Sequence, residues 1–231
     1  MASKSAVNRA GNVLCLAKAS PDLVSAEQKQ DATKVVEDFR RGFSYPMEKV
    51  NNGLRSWVSQ TNEPVLVTQR LKRMSQIVHK LERMPQTNLA RLEDIGGCRV
   101  ILNSPDKIEW LIEKIETTWT VVRKHDYLAQ PKSSGYRAQH LIVERDSHRI
   151  EIQIRTIGQQ GWANVVEKIA AKHQLPLKDE VGPIEVLEWL RLAAQRIGLR
   201  DLGKPVPDEL NKSIDEAMIT ALLWMDEEAK K

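Results

Sequence analysis

Cysteine is nearly missing from this chain: Cys15 and Cys98 are the only two in 231 residues. They lie far apart and outside any C-x-x-C or His-rich spacing. No zinc site or disulfide framework is therefore supported, and a reducing, cytoplasmic setting is the simplest expectation. Long apolar runs are missing too. Val13 to Ala17 is the longest near the start, too short for the hydrophobic region of a signal peptide, and no later run approaches membrane-spanning length. Neither a G-x-G-x-x-G turn nor the regular βαβ repetition of a dinucleotide fold is present. His125-Asp126 lacks the partner His and Asp clusters of a metal phosphohydrolase, and His79 and His173 read as surface residues.

Charge is abundant but nearly balanced. Lys and Arg number 35 against 31 acids, a net charge of +4 with a pI near 9.0, which favours anionic partners without indicating a nucleic-acid protein. A chain that is 41% hydrophobic is long enough for one sizeable core with terminal additions.

Periodicity divides the chain. Residues 1–20 mix small and basic residues and read as a loosely held arm or short helix. Ser25 caps a helix through Ala32, Val35, Val36 and Phe39, and a second follows Pro46 through Met47, Val50, Leu54 and Trp57. Pro64 introduces a β-prone run, Val65 to Val67, and Arg73 to Met84 is helical until Pro85 stops it. Asp94 and the pair Gly96-Gly97 lead into an apolar strand ending at Leu102. Ser104-Pro105-Asp106 caps a helix, and Thr117 to Val122 reads as a strand. The polar stretch from Arg123 to Tyr136 reads as a loop of about fourteen residues, long enough to be functional.

The clearest pattern is Arg149 to Thr156, where Ile150, Ile152 and Ile154 alternate with Glu151, Gln153 and Arg155. Paired with Arg137 to Glu144 across the break at Asp146, Ser147 and His148, it predicts an antiparallel hairpin with one core face and one polar face. A helix from Ile157 to Lys172, a linker from Leu175 to Pro183 and two helices, Ile184 to Ile197 and Pro207 to Glu228, complete the chain. About five strands among several helices predict an α+β fold: a mixed five-stranded sheet flanked by helices, with helical additions at both ends.

Two carboxylates, Asp94 and Glu151, could share a sheet face, as a hard divalent ion bridging phosphates requires. Spacing alone equally describes a turn cap and a solvated face. Arg70, Lys72, Lys80 and Arg99 could likewise gather on an anion or simply lie over apolar neighbours. Lys132, Gly135, Tyr136 and His140 give a glycine-bearing loop with a stacking ring and donors suited to a purine and phosphates.

Taken in order, Arg70-x-Lys72, Ser75 to Leu81, Asp94-Ile-Gly-Gly-Cys-Arg99, Asp126-Tyr127, Pro131-Lys132, Gly135-Tyr-Arg-Ala-Gln-His140 and Glu151-Ile-Gln-Ile-Arg-Thr156 closely resemble the RelA/SpoT synthetase domain. The resemblance implies a nucleotidyltransferase-like sheet and magnesium-dependent transfer of a pyrophosphoryl group from ATP to the 3′-hydroxyl of GDP or GTP. It assigns Arg70 and Arg99 to sandwiching adenine, Lys72, Ser75 and Lys80 to the rest of the ATP site, and Asp94 and Glu151 to magnesium and catalysis. Arg123, Lys132, Tyr136, His140 and Gln153 fall to the acceptor nucleotide, with Tyr136 stacking on guanine. The expected layout is an arm over 1–24, a synthetase domain over 25–174 with its motif core at 70–169, and a helical extension over 175–231.

Three positions depart from the family pattern: Ala138 for a common Ser, His125 for a common Lys, and Val166-Glu167 for an often-seen Glu-His pair. The first two lie on the acceptor side and keep two alternatives in view. One is transfer to tRNA 3′ ends or adenine nucleotides; the other is a catalytically silent nucleotide- or RNA-binding regulator. The 69 residues before Arg70 are too few for the hydrolase domain of long members, so the resemblance implies a small, stand-alone alarmone synthetase. A dimer or tetramer is expected, and a stable RNA or membrane partner is not.

Overall fold

The computed structural model describes residues 2–61, 66–177 and 180–228. Pro64 and Val65, expected to lead into the first strand, and Lys178 and Asp179 of the 175–183 linker lie outside them.

Helix formation begins earlier than the composition suggests. Helix α1 spans Lys4–Ala19, with the Ser3 hydroxyl accepting from Ala6 N–H, and buries Val7, Ala10, Gly11, Leu14 and Ala17 along one stripe. Of the two readings, a loosely held arm or a short helix, the first residues take the helix, longer than expected at 16 residues and packed along one stripe. Ser25 and Gln28 form a reciprocal capping box at the start of α2, Ala26–Arg41, and α3 follows over Ser44–Val58. Strand β1 is Leu66–Leu71, α4 Met74–Arg83, β2 Gly96–Leu102 and α5 Pro105–Thr118.

One boundary moves. The strand expected over Thr117 to Val122 is instead β3, Val121–Asp126, while Thr117 and Thr118 close α5. The polar loop therefore shortens to the residues between Asp126 and β4, Gln139–Arg145. Strand β3 pairs only with β4 at the sheet edge, and Val122 to Asp126 are exposed, so it carries no alternating apolar signal. The hairpin closes through Asp146 and Ser147, both left-handed at φ 49° and 61°, and His148 begins β5, His148–Thr156. Helices α6, Ile157–His173, α7, Ile184–Asp201, and α8, Asp208–Glu228, follow.

The sheet is mixed and five-stranded in the order β1-β2-β5-β4-β3, with β2 and β5 parallel and the other pairs antiparallel. One face supplies Val67, Cys98, Val100, Leu141, Val143 and the three isoleucines of β5 to a core shared with α1 to α5. A second apolar cluster, built on Trp162, Val166, Val186, Leu190, Ala221 and Met225, joins α6, α7 and α8. No helix among the described residues is long and apolar enough to cross a membrane.

Candidate active site

Strand register decides which polar residues meet. Thr68 pairs with Arg99, and Arg70 with Gly97; Gly97 in turn lies opposite Glu151, Arg99 opposite Gln153, and Gln153 opposite His140. Cross-strand partners share a face, so β1, β2, β5 and β4 present these groups together, opposite the isoleucine core. Above them is a cavity of about 400 Å³ whose far wall is Trp162, Ala163, Val166 and Glu167 of α6. Gly97 leaves its floor open, whereas Gly96 faces the core, where a Cβ would come within 3.2 Å of Phe43.

Asp94 lies in the loop just before β2, and Lys72 N–H donating to the Ile95 carbonyl at 2.8 Å fixes that loop to the end of β1. Lys72 Nζ and Lys80 Nζ converge on the same Asp94 oxygen, Oδ2, at 2.9 and 2.8 Å. Burial acts to raise the Asp94 pKa, but the two ammonium groups outweigh it and hold the carboxyl below its ordinary value. The other oxygen, Oδ1, is buried without a protein hydrogen-bond partner.

Glu151 is also held ionised. Its Oε1 lies 3.0 Å from His140 Nδ1, and its Oε2 accepts from Gln153 Nε2 at 2.8 Å. Burial pushes its pKa upward, yet the His140 contact and the Gln153 hydrogen bond bring it below the usual range. The network continues outward: His140 Nε2 is 2.6 Å from the Tyr136 hydroxyl, which accepts from Arg155 Nη2 at 2.6 Å. Arg155, only 5% exposed, also donates to Gln160 Oε1 at 3.0 Å. Burial and the nearby Arg155 and Arg70 guanidiniums lower the Arg99 pKa, which marks a crowded cationic wall suited to an anion.

Of the twelve residues nominated from sequence, Arg70, Asp94, Arg99, Lys132, Tyr136, His140, Glu151 and Gln153 line this cavity. Lys72 and Lys80 reach it through Asp94. Ser75 is exposed in the first turn of α4. Arg123 donates to Glu93 at 2.9 Å, and Arg149 holds the same carboxylate at 2.6 Å. Arg155, Tyr127, Trp162 and Gln69 also belong to the wall; Arg155 carries a sequence signal in the Glu151, Gln153, Arg155 alternation and Tyr127 in the Asp126-Tyr127 block, although neither was nominated. Ala138 is fully buried and its carbonyl accepts from Tyr127 N–H at 3.0 Å, so this departure lies beneath the loop that carries Lys132 and Tyr136 rather than on the cavity wall. His125 is exposed and stacks on Tyr127, with ring centroids 5.9 Å apart.

A mixed sheet with the ionised Glu151 on one face, the ionised Asp94 and its two lysines at the edge of that face, and a cationic wall beside them has the charge arrangement that suits phosphate groups. Residues 69–175 match the family described as the region found in RelA / SpoT proteins. The GTP pyrophosphokinase YjbM of Bacillus subtilis is 32% identical over 127 residues, covering 50% of this chain and 60% of that protein. The GTP pyrophosphokinase YwaC of the same organism is 31% identical over 141 residues, 54% of this chain and 65% of that one. The chain thus spans less than two thirds of either relative. Among solved structures, small alarmone synthetase 2 from Bacillus subtilis superposes with a TM-score of 0.63 at 25% identity, covering 72% of this chain and 94% of that one. Small alarmone synthetase 1 from Bacillus subtilis, bound to its product pppGpp, gives 0.62 at 26% identity, with 74% and 94% covered.

Proposed function

We propose that this protein is a (p)ppGpp synthetase, transferring the pyrophosphoryl group of ATP to the 3′-hydroxyl of GDP or GTP. The observation that carries the reading is the meeting of Asp94 and Glu151 at one cavity, the first flanked by Lys72 and Lys80, the second by His140 and Gln153. The names of the pyrophosphokinase relatives and the pppGpp held by a structural neighbour support it.

The donor set fits magnesium. Asp94 Oδ1 is a buried hard oxygen with no protein partner, and Glu151 supplies a second ionised carboxylate. No group of three or more protein ligands occurs among the described residues, so these two acids would hold the ion together with substrate oxygens. When bound, magnesium neutralises charge on the phosphate oxygens during transfer.

The chain's own groups divide the remaining work. Arg70 and Arg99 offer guanidinium planes for the adenine, and Lys72 and Lys80 offer ammonium groups to the ATP phosphates. Lys132, Tyr136, His140 and Gln153 hold the acceptor nucleotide. Glu151 takes the proton of the 3′-hydroxyl as that oxygen bonds to the β-phosphorus of ATP. The bond from the β-phosphorus to the α,β-bridging oxygen breaks, and AMP leaves with its electron pair. On this reading the protein works on cytoplasmic nucleotides, and the exposed Ile219, Leu222 and Leu223 of α8 offer a surface for a homo-oligomer.

Incubation with ATP labelled in its terminal phosphate and, separately, GDP, GTP, AMP, ADP or deacylated tRNA tests the proposal. Label on GDP or GTP is the expected result. Label confined to RNA or to adenine nucleotides would assign a different acceptor, and no transfer to any of them would leave a binding protein.

A further inference from the structure

The acceptor side rests on residues that follow the matched RelA/SpoT region. Lys132 and Tyr136 flank a tight turn in which Gly135 N–H donates to the Lys132 carbonyl at 2.8 Å. Gly135 has φ +89°, and a Cβ there would stand 2.5 Å from the Ala194 Cβ of α7, so only glycine allows both the conformation and the approach. The base of the loop is held as closely: Arg137 donates to the Leu128 carbonyl at 3.2 Å, and a Cβ on Gly198 of α7 would lie 2.8 Å from its guanidinium carbon.

The tip of the turn is held from a different place. Ser134 N–H donates to Glu180 Oε1 at 3.1 Å, and the Ser133 hydroxyl donates to Glu180 Oε2. Both oxygens of one carboxylate therefore grip adjacent residues of the turn. Glu180 adopts φ +61°, a sparsely populated conformation for a residue with a side chain. The turn in turn places Lys132 Nζ over the Tyr127 and Tyr136 rings, 5.1 and 5.5 Å from their centroids.

We propose that Glu180 is a positioning residue for the acceptor side: its carboxylate latches the turn from Lys132 to Gly135 and so keeps Lys132 and Tyr136 at the cavity wall before the acceptor arrives. The inference rests on the assignment of this wall to the acceptor nucleotide. A loop already ordered loses less conformational entropy on binding, so release of the latch weakens acceptor binding. The donor side stands apart, because Arg70 and Arg99 sit on β1 and β2 and Asp94 is fastened to β1 through Ile95.

The test compares Glu180→Ala with Glu180→Gln, whose amide oxygen still accepts from Ser134 N–H. In Glu180→Ala the acceptor KM rises by about tenfold, equivalent to about 1.4 kcal/mol, while the KM for ATP stays within about twofold. Glu180→Gln stays near the parent protein. Hydrogen exchange supplies a readout independent of turnover: the Ser134 amide exchanges faster in Glu180→Ala, is protected in Glu180→Gln, and β5 is unchanged in both. Unaltered exchange at Ser134, or an equal rise in both KM values, overturns the latch. If the parent protein transfers to neither GDP nor GTP while the exchange pattern holds, the latch stands and the acceptor assignment falls.

Discussion

The Tyr136 hydroxyl lies 2.6 Å from His140 Nε2, and the opposite ring nitrogen of His140 lies 3.0 Å from the Glu151 carboxylate. An ionised carboxylate only accepts, so Nδ1 carries a proton; in the neutral ring Nε2 then accepts from Tyr136. Arg155 donating to the same hydroxyl at 2.6 Å completes a chain that runs one way, from Arg155 to Glu151. The ring named for stacking thus also orients the Glu151 carboxylate.

Tyr136→Phe separates these two duties. It keeps the ring and deletes the hydroxyl, leaving His140 Nε2 without its donor. One lost hydrogen bond in a buried network is worth about 1–2 kcal/mol, so kcat is expected to fall by about tenfold with the acceptor KM little changed. Tyr136→Ala also removes the stacking face and raises the acceptor KM. Steady-state kinetics on both variants, with Tyr136→Phe matching the parent, would show that the hydroxyl chain has no part in turnover.

Asp94→Asn leaves Lys72 and Lys80 facing a neutral amide at a site where the carboxylate side chain is 19% exposed. Charge-assisted hydrogen bonds of this kind contribute about 1.5–3 kcal/mol, so a lower melting temperature is expected alongside at least a hundredfold loss of transfer. The magnesium concentration for half-maximal residual rate should rise. An unchanged magnesium dependence would remove Asp94 from the metal site.

Much of this arrangement is legible in the sequence because buried strands declare themselves by alternation. Ile150, Ile152 and Ile154 are fully buried as expected, and their period places Glu151, Gln153 and Arg155 on one polar face. The resemblance picks out Glu151 and Asp94 from many acids, but it does not nominate Arg155. Strand β3 escapes a reading by pattern because an exposed edge strand needs no apolar face, so Arg123 to Asp126 looks like loop. Helix α1 is hard to see because three of its five buried residues are Ala10, Gly11 and Ala17, too small to announce a stripe. Contacts between distant segments have no local signal at all: nothing in the sequence spacing ties Glu180 to Ser134 or Ala194 to Gly135.

Acid should loosen the fold through the same two carboxylates that form the site. Burial raises the Asp94 pKa and the lysines more than reverse it; burial raises that of Glu151 and the His140 and Gln153 contacts reverse that. Both folded values lie below the ordinary ones. Their stabilisation is therefore complete above the ordinary carboxylate pKa and lost as pH falls through the lowered values. Asp201 has the opposite sign, since burial raises its pKa despite hydrogen bonds from Gln159 and Thr156, so its contribution is lost as pH rises. Two lowered carboxylates at the site oppose one raised carboxyl, so the urea midpoint should fall between pH 6 and pH 3, roughly the range in which such carboxylates titrate. A midpoint that rises on acidification would contradict the balance.

The approach of Gly135 to Ala194 gives a test of whether α7 buttresses the loop that carries Lys132 and Tyr136. Gly135→Ala introduces two separable penalties: a side chain at φ +89° and a Cβ 2.5 Å from that of Ala194. Real Cβ atoms do not approach so closely, so α7 or the turn must shift. The expected loss is more than about 1 kcal/mol, the scale of an alanine forced into a left-handed conformation. Ala194→Gly in the same chain removes the clash and leaves the backbone strain, so it should restore part of the stability and of the acceptor affinity. Ala194→Gly alone is mildly destabilising, because Ala194 is buried within α7 and glycine weakens a helix interior by about 1 kcal/mol. A double-mutant cycle read by chemical denaturation decides the matter. Simple additivity of the two changes would mean that the turn and α7 do not press on each other, whereas partial rescue makes their contact the element that ties the C-terminal helices to the cavity wall formed by Lys132 and Tyr136.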